Sequence, residues 1–346
     1  MRIIFVDRST RLKTVGDLKT KARGGMVASL FKVSDYLSSA GHDVTVLSDI
    51  EQSGCTPARV KWVDNHWGEY DVLINNRGIG DGYSMIRAKR RILWTHDLPH
   101  SGFIPSPKTI NVYDRVVFMS RYAENVWRKF YPAIGKSTLI PNGVDKSIFY
   151  PRQKFLNTMI FASAPNRGLD KLPLILDSVR SRMGEDGWKY VLRAYSNLSK
   201  LHPNEGIDTF DYKSIEDSNV DLHDPLPQAD FANKIGQAGL MILPSGYPEI
   251  CSNSVLQALA SGTPIITTGN LGATCEWVKH RKNGMLTEYV PHDYMVHLVE
   301  MVRNTVRVLE SERLHRRLID GALRTRIYDW REIGAKWERM LERVWK

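Results

Sequence analysis

Cysteine is scarce in this chain of 346 residues, with only Cys55, Cys251 and Cys275 present. An odd count without metal-ligand spacing excludes a disulfide framework and a zinc site, and Cys251 and Cys275 read as packing residues. No stretch approaches the roughly 20 apolar residues that span a bilayer. The opening MRIIFVDRST reads as a short strand rather than a secretory leader, so the expected location is cytoplasmic. Internal repeats and low-complexity segments are absent too, which excludes solenoid and disordered architectures. What remains is 42% hydrophobic and 25% charged, an ordinary globular composition with length enough for two domains.

Acidic residues are outnumbered, 38 against 48 basic, and the net charge of +10 suits anionic partners such as a nucleotide or a lipid headgroup. Much of the excess lies near the C-terminus, from Arg303 to Arg326, where a solvated helix face accounts for it. No basic stripe is interleaved with stacking aromatics, so nucleic acid is not an expected partner.

The most organised stretch runs from Gly239 to Trp277. An apolar run, Gly239 to Leu243, ends at Pro244-Ser245-Gly246. Glu249 follows, and then apolar residues at helical spacing, Val255, Leu256, Leu259 and Ala260. Ser252 or Asn253 can cap that helix, Gly262 can end it, and Thr263-Pro264-Ile265-Ile266-Thr267-Thr268 restarts as a β-branched strand. This is a βαβ unit of a parallel sheet, with a Ser-rich turn aimed at a helix N-terminus that can hold a phosphate.

The string PEICSNSVLQALASGTPII resembles the donor-site pattern of glycosyltransferase family 4, the glycosyl transferases group 1, in which two glutamates stand eight positions apart. Glu249 matches the first, while the second position is Gln257. The resemblance implies that Glu249 lies near the donor sugar, that the loop Ile250, Cys251, Ser252 and Asn253 touches the diphosphate, and that Gln257 bonds the ribose. A Gln amide can do so without the charge that strengthens a carboxylate contact.

Taken in order, the chain reads as strands alternating with helices, hence a parallel, doubly wound sheet. A strand over residues 2–6 is followed by a long basic loop and then by a helix from Met26 to Ala40, with Gly24-Gly25 immediately before it. Further strands are expected at 44–47, 70–74, 91–94 and 115–119. In the resembled family the glycine pair belongs to a ligand-facing loop, and a loop of this length suggests an acceptor-side segment that orders on binding. The Gly78-to-Gly82 run lacks dinucleotide spacing and reads as a loop. Arg77 at its edge could face an anionic acceptor. His96-Asp97 follows the strand ILW, and His96 matches a family position near the donor sugar, which makes it a candidate for acid–base work.

LIPNGVDKSIFYP resembles the family's passage between domains and places the boundary near Pro151. Beyond it, a strand at 158–163 leads into Asn166-Arg167-Gly168-Leu169-Asp170-Lys171, similar to the family's phosphate loop, with Arg167 and Lys171 as diphosphate ligands. A further strand is expected at 188–195. The last apolar positions, Ile333, Trp337, Met340, Leu341 and Val344, resemble a terminal helix that crosses back onto the first domain.

The resemblance implies a GT-B fold: an acceptor-side Rossmann-like domain over 1–150 with a helix at 329–346 packed back on it, and a donor domain over 151–328, facing each other across a cleft. It implies retaining transfer of a sugar from a UDP- or GDP-linked donor to a hydroxyl of a glycan, glycoconjugate or small-molecule acceptor. No Asp-x-Asp triplet occurs, which agrees with chemistry that needs no metal and no cofactor beyond the donor. The alternative is a catalytically weakened, nucleotide-sugar-binding subunit, motivated by Gln257. Oligomeric state and a peripheral contact of the basic loop with an anionic membrane are left open by the sequence.

Overall fold

A computed structural model describes residues 1–16, 25–65, 68–77, 86–99, 110–197, 215, 218–291 and 293–345. The chain forms two compact units, one of 1–143 with 328–346, the other of 144–327. The sequence placed the passage near Pro151. The contacts divide earlier because Val144 and Phe149 are buried in the second unit, where the Phe149 ring meets Phe231 at 6.1 Å.

The first unit is built on an eight-stranded sheet. Its strands are β1 (Arg2–Leu12), β2 (Asp43–Ile50), β3 (Gly54–Cys55), β4 (Lys61–Val63), β5 (Glu69–Asn76), β6 (Arg87–Trp94), β7 (Arg115–Phe118) and β8 (Ser137–Leu139). The spatial order is β3-β4-β2-β1-β5-β6-β7-β8, and every pairing is parallel except that of β3 with β4. Helix α1 (Gly25–Ser39) turns Leu30, Val33 and Leu37 inward at helical spacing, against Ile3, Phe5, Val46 and Ile74 of the sheet. The C-terminal helix, Trp330–Trp345, belongs to the same core: Trp337 is fully buried and lies edge-on to Trp94 at 4.7 Å.

Gly143 closes this unit, because a Cβ there would stand 2.9 Å from the Trp330 ring. The preceding Asn142 is buried and accepts from the Ser29 hydroxyl of α1 at 2.9 Å. The Pro-Asn-Gly segment is therefore a packed joint as well as a turn.

Strand β1 corrects the expectation of a long loop after residue 6. Past a register shift between Asp7 and Arg11 it resumes pairing with β2, Arg11 opposite Asp49 and Leu12 opposite Ile50. The glycine run at 78–82 and residues 17–24 of the basic loop lie outside the described residues.

The second unit holds six parallel strands in the order β11-β10-β9-β12-β13-β14. They are β9 (Phe155–Ala162), β10 (Val191–Tyr195), β11 (Asp221–His223), β12 (Ala238–Leu243), β13 (Ile265–Thr268) and β14 (Gly284–Thr287). β12 is buried throughout, as expected for a central strand covered on both faces. The helices numbered after α2 (Arg121–Phe130) of the first unit are α3 (Leu172–Met183), α4 (Gln228–Gln237), α5 (Asn253–Ala260), α6 (Thr274–Trp277), α7 (Tyr294–Glu310) and α8 (Glu312–Leu323). Strand β10 begins later than the sequence suggested. Residues 184–189 instead form a tight helical turn in which Trp188 stays exposed, its ring under the Arg180 guanidinium at 5.0 Å.

Candidate active site

Parallel sheets present their ligand loops at the carboxyl ends of the strands. In the second unit two such loops meet, the one after β9 and the one after β12. Gly168 lets them close: it sits at φ +93°, and a Cβ there would collide with Pro244 O. Only glycine supplies both the left-handed backbone and the missing side chain.

This contact sets Arg167 beside Glu249. Arg167 Nε donates to Glu249 Oε1 at 2.7 Å, and Nη1 donates to Asn166 Oδ1 at 2.6 Å. The guanidinium carbon lies over the Tyr247 ring, 3.5 Å from its centroid. Both members of the pair are largely sheltered, with side chains 17% and 16% exposed. Such stacking removes much of the rotational freedom of an Arg side chain. Among the described residues Glu249 Oε2 and Arg167 Nη2 take no hydrogen-bond partner, so each directs one polar group outward.

Glu249 is fixed from the backbone side too. Its carbonyl accepts from Ala273 N at 2.6 Å, and Gly272, at φ +79°, leaves no room for a Cβ against the Glu249 main chain. Tyr247 is held by an Ser245 turn, its N–H donating to Ser245 Oγ at 3.1 Å.

Lys171 pairs with Asp170 at 2.6 Å and its ammonium lies 5.5 Å from the centroid of the Tyr294 ring. The Tyr294 hydroxyl donates to Pro244 O at 2.6 Å, and burial, reinforced by the Asp170 carboxylate, raises its pKa. The phenol therefore stays protonated and works as a strut between α7 and the loop.

Ile250 and Cys251 are buried and lead into α5, whose N-cap is Ser252. Its hydroxyl makes no cap bond and instead meets Ser254 Oγ at 3.1 Å, so no side chain of the cap occupies the first turn. That leaves the helix end, with Asn253 as its first residue, suited to an anion. Gln257 is buried at 8% exposure and its Nε2 donates to Gln228 Oε1 of α4 at 3.3 Å.

The second unit thus assembles Arg167, Lys171, Glu249, Ile250, Cys251, Ser252, Asn253 and Gln257. Tyr247, Asp170, Tyr294 and Gln228 join them as residues the sequence reading did not select. Tyr247 had a local signal, standing two positions before Glu249. The other three belong to their neighbours only through the fold. At the outer strands Tyr195 and His223 stack nearly parallel, 5.1 Å apart at 18°, and His223 Nε2 lies 2.9 Å from Asp221.

His96 belongs to the first unit. Its ring packs on Trp94 at 4.6 Å, and Nε2 is shielded from solvent with no hydrogen-bond partner. Burial, with the Arg77 guanidinium nearby, lowers its pKa to about 3, so the imidazole is neutral at physiological pH. Arg77 itself is ion-paired with Asp97, at a backbone φ of +74°. Asp97 is thus the partner that the structure shows for the Arg77 guanidinium. Gly25 is the first residue of α1, and Gly24 lies outside the described residues.

Residues 178–304 match the family model described as Glycosyl transferases group 1. The comparison with curated proteins found no match. Among solved structures, the chain is similar to sucrose-phosphate synthase from Thermosynechococcus elongatus, with a TM-score of 0.76 and 14% identity over 99% of each chain. It is similar to HepE from Anabaena, solved with UDP and glucose, with a TM-score of 0.71 and 14% identity over 99% of each chain. WaaG, a glycosyltransferase involved in lipopolysaccharide biosynthesis, gives a TM-score of 0.68 at 12% identity over 98% of this chain and 99% of its own.

Proposed function

We propose that this chain, a glycosyltransferase of GT-B fold with a group 1 domain at 178–304, moves a sugar from a UDP- or GDP-linked donor to an acceptor hydroxyl with retention at the anomeric carbon and without a divalent metal. The observation that carries the reading is the Arg167–Glu249 pair, braced on Tyr247 beside the open N-terminus of α5.

As the bond from the anomeric carbon to the diphosphate oxygen breaks, its electron pair goes to the leaving oxygen, and that growing negative charge must be met. Arg167 Nη2, Lys171 and the first-turn amides of α5 would meet it, in the role a metal ion plays elsewhere. Glu249 Oε2 is placed to accept a hydroxyl of the sugar and hold it in one orientation. The acceptor oxygen bonds to the anomeric carbon on the face the diphosphate leaves, and its proton passes to the leaving phosphate oxygen. Gln257, sharing its amide with Gln228, would read the ribose. HepE, one of the similar structures, was solved with UDP and glucose, which supports this class of donor.

The acceptor is a glycan, a glycoconjugate or a small molecule with a free hydroxyl. The experiment that tests the reading is proton NMR of the first product formed in the presence of a chelator. Retained anomeric configuration supports it, and inverted configuration or a strict metal requirement refutes it.

The Gln257–Gln228 amide pair also supports a second reading, a nucleotide-sugar-binding subunit with weakened catalysis. Under that reading the donor binds and is not turned over.

A further inference from the structure

The opposite end of the second sheet has an organisation of its own. Helix α8 crosses beneath the N-terminal ends of three adjacent strands. His315 Nε2 donates to Gly239 O at 2.7 Å near the start of β12, Leu323 lies against Gly262 ahead of β13, and Thr325 Oγ1 accepts from Asn283 Nδ2 at 2.8 Å ahead of β14. The outward positions of α8 and the residue after it carry Arg313, Arg317 and Arg324, all exposed. Beside them a tight turn presents Lys279, His280, Arg281 and Lys282 in succession, also exposed.

The turn is latched. Asn283 is buried, its Oδ1 accepts from Lys279 N at 2.6 Å, and its Nδ2 donates to Trp277 O at 2.9 Å as well as to Thr325. Gly321 of α8 admits the Lys282 carbonyl at a distance that any Cβ would forbid.

Within this latch Arg281 sits at φ +61°. A side chain in left-handed backbone costs about 1 kcal/mol or more, and glycine or asparagine would fit with less strain. An arginine is nonetheless what stands there, which points to a use for its charge. Among the described residues none of Lys279, Arg281, Lys282, Arg313, Arg317 and Arg324 forms an ion pair; of the two acids in these segments Glu312 is bound to Arg316 at 2.5 Å and Asp320 stands exposed between Arg317 and Arg324. The result is a face on which the cations outnumber the one unbridged carboxylate, Asp320, with Lys279 Nζ held by Cys275 O at 2.8 Å.

We propose that this face docks on anionic phospholipid headgroups, holding the second unit at a bilayer by the end of its sheet remote from the donor loops. Two features favour a lipid surface over nucleic acid. No exposed aromatic side chain stands on these segments for base stacking. Leu323, 45% exposed among the arginines, can enter the headgroup layer. The basic loop near the N-terminus is not needed for this contact, and neither is any assumption about the reaction.

The test is sedimentation of the full chain with vesicles of phosphatidylcholine alone or mixed with phosphatidylglycerol. Binding is expected to the mixed vesicles at low salt and to fade at high ionic strength. Lys282→Gln and Arg317→Gln should each weaken it by about fivefold, the effect of about 1 kcal/mol for each surface charge. Arg281→Gly should weaken it similarly while raising Tm, because the substitution relieves the backbone as it removes the charge. The thermal shift given by a nucleotide sugar should be unchanged in all three. Absence of binding, equal binding to neutral vesicles, or binding indifferent to these substitutions overturns the proposal. So does preferential capture of an oligonucleotide that the same substitutions abolish.

Discussion

Arg167 and Glu249, 82 positions apart in the chain, meet at 2.7 Å with the guanidinium seated on Tyr247. The pair is more than an ion pair at a surface, because both side chains are sheltered and each keeps one group free toward solvent or ligand.

This arrangement predicts strong coupling between the two. Arg167→Ala should lower kcat/KM by about 10²–10³-fold, the usual loss when a donor to developing charge is removed. Arg167→Lys should recover little, since a lysine can neither stack flat nor bond from two edges. A double-mutant cycle with Glu249→Ala, followed by donor-induced thermal shift, should show an interaction of about 1–2 kcal/mol. Additive losses would mean that the pair does not act as a unit.

Gly168 predicts a structural effect with a functional consequence. Gly168→Ala combines a left-handed backbone with a collision at Pro244 O and should destabilise the second unit by about 2–4 kcal/mol. Calorimetry is the direct measurement. Any population that stays folded should bind donor poorly, because the loops after β9 and β12 can no longer close.

Gln257 separates a tuned site from a decayed one. Gln257→Leu should raise the donor KM by about tenfold, through loss of a buried hydrogen bond and an unpaired Gln228. Gln257→Glu should change kcat by less than about threefold, since a carboxylate can take the same place beside Gln228. A large gain in turnover in Gln257→Glu would favour the binding-subunit reading.

His96 makes a prediction about pH. Its folded pKa of about 3 lies below the ordinary 6.5, so the unfolded chain binds the proton first. Stability from this group is therefore full above about pH 6.5 and is lost as pH falls toward 3. Between pH 7 and pH 5 the loss should be about 2 kcal/mol. His96→Gln should flatten that part of the stability profile, measured as the difference in Tm between wild type and variant. An unchanged slope would show that His96 is charged in the folded protein.

The sequence was most legible where local pattern and tertiary role coincide. Strand, Ser-rich turn, helix and β-branched strand were expected through 239–268, and β12, α5 and β13 lie there. The glycine past the helix also stands at φ +71°, at Gly262. Reading failed where charge hid a strand. Arg11 and the Arg- and Lys-rich 87–91 nonetheless extend β1 and β6, because pairing with β2 and β5 outweighs a weak local preference. Partner choice was not legible at all for Arg167 with Glu249 or Gln257 with Gln228, since such pairs exist only once loops from separate strands converge. Arg77 likewise meets Asp97, twenty residues on, a partner that its position at a strand end did not announce.

A donor site that stabilises diphosphate with protein groups alone binds its nucleotide sugar without a metal ion. Thermal stability should therefore be measured with a panel of UDP-, GDP- and ADP-sugars in the presence of a chelator, for the wild type and for Arg167→Ala and Glu249→Ala. The expected result is a rise in Tm with one nucleotide class and its loss in both variants. No rise with any donor, or a rise that appears only when a divalent metal is restored, would contradict it.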